Sequence, residues 1–430
     1  MSRKAFSNQC VYGISNHLAQ ELEMVPGRHF WFHQQRNYGM QWSYKLLILR
    51  LVVNAAYLKK IRGMAEELSL AAYLPKGNLI RVEMGGKGII ELQCPWPQYL
   101  RTSPKVSQLP TLPGCQSAVG LTTEDRPATV DFDNPLTAHA LISGLTGSGK
   151  TNLARVLICK LAQQNASSDL RFLLFDVADS GLAWSGFDDL PHLYHGIIDT
   201  MPVAREGMAW LQGELDRRAQ ERTREPKLIV GIDECQVFAK EPDISETLEV
   251  LSQRGRKWGI SLVLMTQRPV KESLSTTVKA NCGIKVVGKV SSPQESAWAS
   301  GLPDIGGETL GGLGDMLLCK HSGGVQRIAS PLFTDQDLDN LPRNGRDWVD
   351  FPKPETKEPT NGSDPDFSTQ ECILSLITAR HGRGRPFLKD VLESETGHKP
   401  GSSRARRLLQ WGQEAHELLA KYRYSLSLTD

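Results

Sequence analysis

Between residues 116 and 342 short apolar runs alternate with amphipathic stretches. The runs are "HALISG", "RFLLFDV", "KLIVGIDE", "ISLVLMTQ", "GIKVVGKV" and "GDMLLC". Buried strands alternating with helices predict a mostly parallel central sheet covered on both faces, an α/β fold. Residues 1–115 read differently. "YKLLILRLVVNAAYLKKIRGMAEEL" carries helical signals and "NLIRVEMGGKGIIELQ" strand-like alternation, so this stretch reads as a small α+β N-terminal domain. Its 13-residue run "LLILRLVVNAAYL" contains Arg50. It is too short to span a bilayer and predicts a core helix instead. Residues 343–366 are polar, with prolines at 352, 354, 359 and 365, the composition of a linker. Helical periodicity returns over residues 367–430 in three stretches, with Ser368 placed to cap the first of them.

Charge adds an asymmetry that the net value of +2 conceals. Residues 1–115 hold 14 Lys/Arg against 6 Asp/Glu, and residues 367–430 hold 10 against 7. Both ends are basic and the middle is acidic. That distribution suits a polyanionic partner near the ends, and equally suits ordinary solvated surfaces. The eight cysteines are scattered without a CxxC pair, which argues against a zinc site and a secreted disulfide framework. No signal-peptide pattern opens the chain. The expectation is a cytoplasmic protein without membrane insertion.

The chemistry begins at "GLTGSGKT". Gly144, Gly149, Lys150 and Thr151 fit G-x-x-x-x-G-K-[ST] between a strand-like and a helix-like segment, the context that a phosphate-binding loop requires. Glycines let successive N–H groups turn toward one anion, and the following helix adds its positive end. The candidate nucleotide-binding set is Gly144, Leu145, Thr146, Gly147, Ser148, Gly149, Lys150, Thr151 and Asn152. Lys150 would reach the β- and γ-phosphates of ATP, and the Thr151 hydroxyl would ligate Mg²⁺. "KLIVGIDE" ends in Asp233 and Glu234, acids expected at the end of a strand beside the P-loop strand. Asp233 reads as the second group of the Mg²⁺ shell and Glu234 as the general base. Gln267, at the end of "ISLVLMTQ", is placed to sense the γ-phosphate. Arg254, Arg256 and Lys257 in "SQRGRKWG" read either as a solvated helix end or as the source of an arginine finger.

The order of motifs narrows the choice. "GLTGSGKT", "LPHL", "ELDRR", "LIVGIDE", "GRKWGISLVLMTQRP", "VKAN", "KVSS" and "LGGLGDMLL" follow one another across residues 116–342. This series resembles the motor domain of the FtsK/SpoIIIE family of double-stranded DNA translocases. The resemblance implies a RecA-like P-loop ATPase that assembles as a ring, a hexamer, around duplex DNA, with ATP held between subunits. It implies that Arg256 serves a neighbouring subunit's phosphates, that Arg327 lines the subunit interface, and that Lys271 and Lys279 face the channel and track phosphates. One departure stands out: where the family has Asp-Pro-Lys, "LLFDVADSG" keeps Asp176 but has Val177 and Ala178.

The C-terminal stretch resembles that family's winged-helix or helix-turn-helix domain, with Arg404, Arg406 and Arg407 opening the third helix as DNA contacts. The alternatives are an ATP-gated DNA-binding regulator that does not translocate, a HerA-like or conjugative coupling pump, and a small-molecule kinase.

Overall fold

The computed structural model describes residues 1–22, 40–53, 55–75, 78–86, 89–267, 274–320, 324–343 and 351. All of them lie in one compact unit, Met1–Pro352. Lys271, Arg404, Arg406, Arg407, the whole of residues 367–430 and nearly all of the linker fall outside the described residues.

The chain opens with α1 (Arg3–Glu21), β1 (Met40–Trp42), β2 (Leu46–Val52), α2 (Ala55–Gly63), α3 (Ala65–Ala71), β3 (Arg81–Gly86) and β4 (Ile89–Pro95). The four strands form an antiparallel sheet in the order β1-β2-β4-β3. The apolar run expected to be a core helix is therefore mostly strand β2, and only its last residues enter α2. A continuous aliphatic run has no period to distinguish the two. Here pairing on both edges, with β1 and β4, decides for the strand. Leu47, Leu49 and Leu51 bury one face of β2 against Phe6, Ile14 and Leu18 of α1 in a common core that also holds Trp96.

The second sheet has nine strands. It comprises β5 (Gln116–Thr122), β6 (Pro127–Asp131), β7 (Ala140–Ser143), β8 (Leu170–Phe175), β9 (Lys227–Ile232), β10 (Ile260–Thr266), β11 (Ile284–Val287), β12 (Asp315–Lys320) and β13 (Val325–Ala329). Their order is β6-β5-β13-β12-β11-β7-β10-β9-β8. The six predicted runs are β7 to β12. The five strands β11, β7, β10, β9 and β8 run parallel, as expected of a sheet with helical crossovers. The remaining strands extend this sheet antiparallel.

Helices cover both faces. On one, Leu153, Val156 and Leu157 of α4 (Lys150–Gln164) pack on Ile142, Val263 and Met265. On the other, α5 (Met201–Glu221) and α6 (Pro242–Arg254) bury Met208, Leu211, Leu248 and Leu251 over Val230, Leu262 and Leu264. Alternate residues of β10 thus enter opposite cores, which is why that strand is apolar throughout. Shorter helices α7 (Thr276–Asn281), α8 (Pro293–Ser300) and α9 (Asp335–Asp339) finish the unit. Among the described residues no helix is long and apolar enough to cross a membrane.

The two sheets are joined through buried polar contacts. The Arg327 guanidinium of β13 donates to both carboxylate oxygens of Asp315 in β12, at 2.9 and 2.7 Å, and to Gln93 Oε1 of β4 at 3.1 Å. Arg327, expected at a subunit interface, is instead enclosed within its own chain. Its charge holds the Asp315 carboxyl below the usual carboxylate range against the opposing effect of burial.

Candidate nucleotide site

Strand β7 delivers the chain to the loop at its C-terminal edge. Gly144, Gly147 and Gly149 have φ of 151°, 77° and 102°, backbone that a side chain would strain. At Gly149 a Cβ would also come within 2.9 Å of the Gly314 nitrogen. Helix α4 then starts at Lys150, and no side chain caps it. Its first N–H groups are left for an anion. Two hydroxyls of the loop region, Ser143 Oγ and Ser148 Oγ, are buried without a hydrogen-bond partner among the described residues. Lys150 is buried, and its Nζ lies 3.4 Å from the carbonyl of Leu145. Burial pulls the ammonium pKa down, while Glu234 and Asp233 oppose that effect.

The predicted acids arrive by a different route from the one expected. Strand β9 is not beside β7, because β10 lies between them. The acids nonetheless reach the loop. Thr151 Oγ1 donates to Asp233 Oδ2 at 3.1 Å. Burial and the neighbouring Glu234 charge push the Asp233 carboxyl up to about 6. Glu234 takes a left-handed conformation, φ 47°. Its Oε2 accepts from the Gln267 backbone N–H at 3.3 Å and from the Gln236 side-chain amide. The Gln267 side chain in turn accepts from Thr146 Oγ1 at 2.7 Å. Lys150, Thr151, Asp233, Glu234 and Gln267 thus meet at the ends of three adjacent strands.

Other predicted residues sit elsewhere. The Asn152 side chain is committed to the segment after β13, donating to Pro331 O and accepting from Phe333 N at 2.6 and 2.9 Å. Arg256 is exposed in the turn that precedes β10, where its guanidinium approaches the carbonyl of Pro135 at 3.5 Å. Gln267 follows the other end of β10, a strand of seven residues at about 3.3 Å each. Arg256 thus lies at the opposite end of β10 from the phosphate loop of its own chain. Lys279 is half-buried, with its ammonium 4.3 Å from the Trp298 ring centroid. Asp176 accepts from Asp179 N and Ala183 N and closes a turn.

Several residues had been given no role from sequence. The "LGGLGD" segment lies against the loop, where Leu313 N donates to Gly147 O at 3.0 Å and Gly314 N to Ser148 O at 2.8 Å. A cavity of about 230 Å³ beside the loop is lined by Arg101, Lys289 and Leu313 as well as by Thr146 and Ser148. In "ELDRR" the buried Arg218 binds Glu214 at 2.7 Å and donates to Trp258 O at 3.0 Å, bracing the turn that holds Arg256.

Residues 113–223 match the FtsK/SpoIIIE family. That region is similar to an FtsK/SpoIIIE-family domain. The match includes the phosphate loop and stops before Asp233. Similarity continues beyond it. The chain is 27% identical over 310 residues to DNA translocase SftA of Bacillus subtilis (strain 168), covering 66% of this chain and 31% of that protein. It is 25% identical over 349 residues to DNA translocase FtsK of Shewanella oneidensis, covering 69% of this chain and 37% of that one. The chain therefore spans about a third of the length of these curated relatives. Among solved structures, the cytoplasmic domain of the Thermomonospora curvata Type VII secretion ATPase EccC aligns with a TM-score of 0.49 at 23% identity, over 56% of this chain and 33% of that one. The pCW3 conjugation coupling protein TcpA aligns with a TM-score of 0.48 at 15% identity, over 76% and 96%.

Proposed function

We propose that this chain is an ATP-hydrolysing motor that moves double-stranded DNA through a ring of its own copies, a hexamer. The observation that carries the reading is the meeting of Lys150, Thr151, Asp233, Glu234 and Gln267 at one sheet edge, in a chain whose loop region is similar to an FtsK/SpoIIIE-family domain. Lys150 and the uncapped N-terminus of α4 hold the ATP phosphates. Thr151 and Asp233 offer two hard oxygen ligands within 3.1 Å of each other, and a cation between them would offset the crowding of the Asp233 and Glu234 charges. These residues fit Mg²⁺, which when bound neutralises charge on the phosphates. Glu234 takes the proton from the attacking water, and Gln267 reads the γ-phosphate. Arg256, distant from its own loop, serves the loop of the next subunit.

Residues 116–342 then form the motor, residues 1–115 a second layer, and residues 343–366 the linker. Residues 367–430 form a DNA-binding domain that works through Arg404, Arg406 and Arg407. Lys271 and Lys279 contribute phosphate contacts.

The test is ATP turnover with and without long duplex DNA, followed by displacement of a triplex-forming strand from that duplex. The motor reading expects DNA-stimulated turnover and displacement that requires hydrolysis. A second reading, an ATP-gated DNA-binding regulator, draws on Asp176 serving as a turn cap in the departed "FDVADSG" segment. Nucleotide-dependent DNA binding without displacement would favour it and overturn the motor.

A further inference from the structure

We infer that Gln236 is the positioning residue of the Glu234 carboxylate, a role that rests on the reading of Glu234 as hydrolytic base. The side-chain amide of Gln236 donates to Glu234 Oε2, the same oxygen that accepts the backbone N–H of Gln267. An ionised carboxylate only accepts, so the amide nitrogen must face it, and this fixes the orientation of the Gln236 amide. Both donors fall on Oε2. Among the described residues none donates to Oε1, which is left as the oxygen able to take a proton from water.

Glu234 is otherwise poorly held. It sits in the left-handed region at the entrance to a 3₁₀ turn over Cys235–Lys240, with no neighbouring cation at salt-bridge distance among the described residues. Two donors from two different segments, the residue that follows β10 and the turn after β9, hold the carboxylate in one place.

The other end of the amide supports the same role. Gln236 Oε1 is shielded from solvent and receives no hydrogen bond among the described residues. A buried carbonyl oxygen without a donor is costly. The amide nonetheless sets its nitrogen, not its oxygen, on Glu234, so the contact with the base fixes its orientation. Gln236 thus orients the base through its side-chain nitrogen.

The test compares Gln236→Leu, Gln236→Glu and Glu234→Gln in the full chain. ATP turnover, binding of a fluorescent ATP analogue and thermal unfolding are measured for each. Gln236→Leu is expected to lower kcat about tenfold with KM and analogue binding within about twofold. Gln236→Glu keeps the shape but replaces the donor with a second carboxylate, and is expected to lower kcat further. A residue that only filled space would give the reverse order, since the isosteric change would be the milder one. Wild-type kcat in both Gln236 variants, or loss of analogue binding in parallel with kcat, overturns the inference. If Glu234→Gln still turns over normally, the base assignment fails and the inference falls with it. If Glu234→Gln is inactive while both Gln236 variants are normal, the inference alone is wrong.

Discussion

Lys45 Nζ, in the loop that enters strand β2 of the N-terminal sheet, donates to the carbonyl oxygen of Leu313 at 2.8 Å. Leu313 passes the contact on, because its own N–H donates to Gly147 O in the phosphate loop. The loop is therefore backed by residues far away in sequence. Lys45 also binds Ser103 Oγ at 2.7 Å, and burial brings its pKa down to about 8. Lys45→Met leaves the Leu313 carbonyl without its donor. Stability should fall by about 1–3 kcal/mol in a denaturant titration, and ATP binding should weaken severalfold. Lys59→Met, an exposed change on α2, should do neither.

Arg327 and Asp315 are buried to within a few per cent and bind through both guanidinium arms. Arg327→Leu strands the carboxylate and also deprives Gln93 of a partner. The expected loss is about 3–5 kcal/mol in chemical unfolding. Arg327→Leu combined with Asp315→Leu should recover part of it, because the stranded charge is gone.

His139 ties pH to stability. It is buried, its Nδ1 accepts the Leu262 N–H at 3.0 Å, and burial brings its pKa down to about 4. The folded state resists protonation that the unfolded chain accepts near 6.5. The stabilisation is complete above pH 6.5 and is lost as pH falls toward 4, by up to about 3 kcal/mol. Unfolding measured from pH 7 to 4 should show this slope, and His139→Gln should flatten it.

Lys150→Ala removes the cation of the phosphate loop, and ATP binding should weaken about 10–100-fold by direct titration. Glu234→Gln keeps the loop intact. It should bind ATP within about twofold of the wild type yet turn over at least about 100-fold more slowly. Equal loss of binding in both variants would contradict the division of labour between them.

Arg256 lies at the end of β10 opposite the phosphate loop of its own chain, so a catalytic role is expected to be exercised on a neighbour. Arg256→Ala alone should be inactive by a factor of about 10³. Mixed with Glu234→Gln subunits, it should regain measurable turnover, because some interfaces then pair an intact Glu234 with an intact Arg256. Failure of the mixture to recover, with both variants assembling normally, would remove Arg256 from the site.

The glycine-rich turn before α4, the strand-end positions of Asp233, Glu234 and Gln267, and six of the nine strands of the large sheet were legible in the order of residues. Such features are local: a glycine pattern sets a turn and an unbroken aliphatic run requires burial. What the tertiary structure decided was non-local. It made "LLILRLV" a strand by giving that run partners on both edges. It inserted β10 between the loop strand and the acid strand. It drew Arg327 inward to Asp315 and left Arg256 at the far end of β10. It also set Gln236 against Glu234 and Lys45 behind the loop. Sequence encodes which side chains must be buried or turned. Which of them meet depends on strand order and on the packing of distant segments, and a local pattern carries neither.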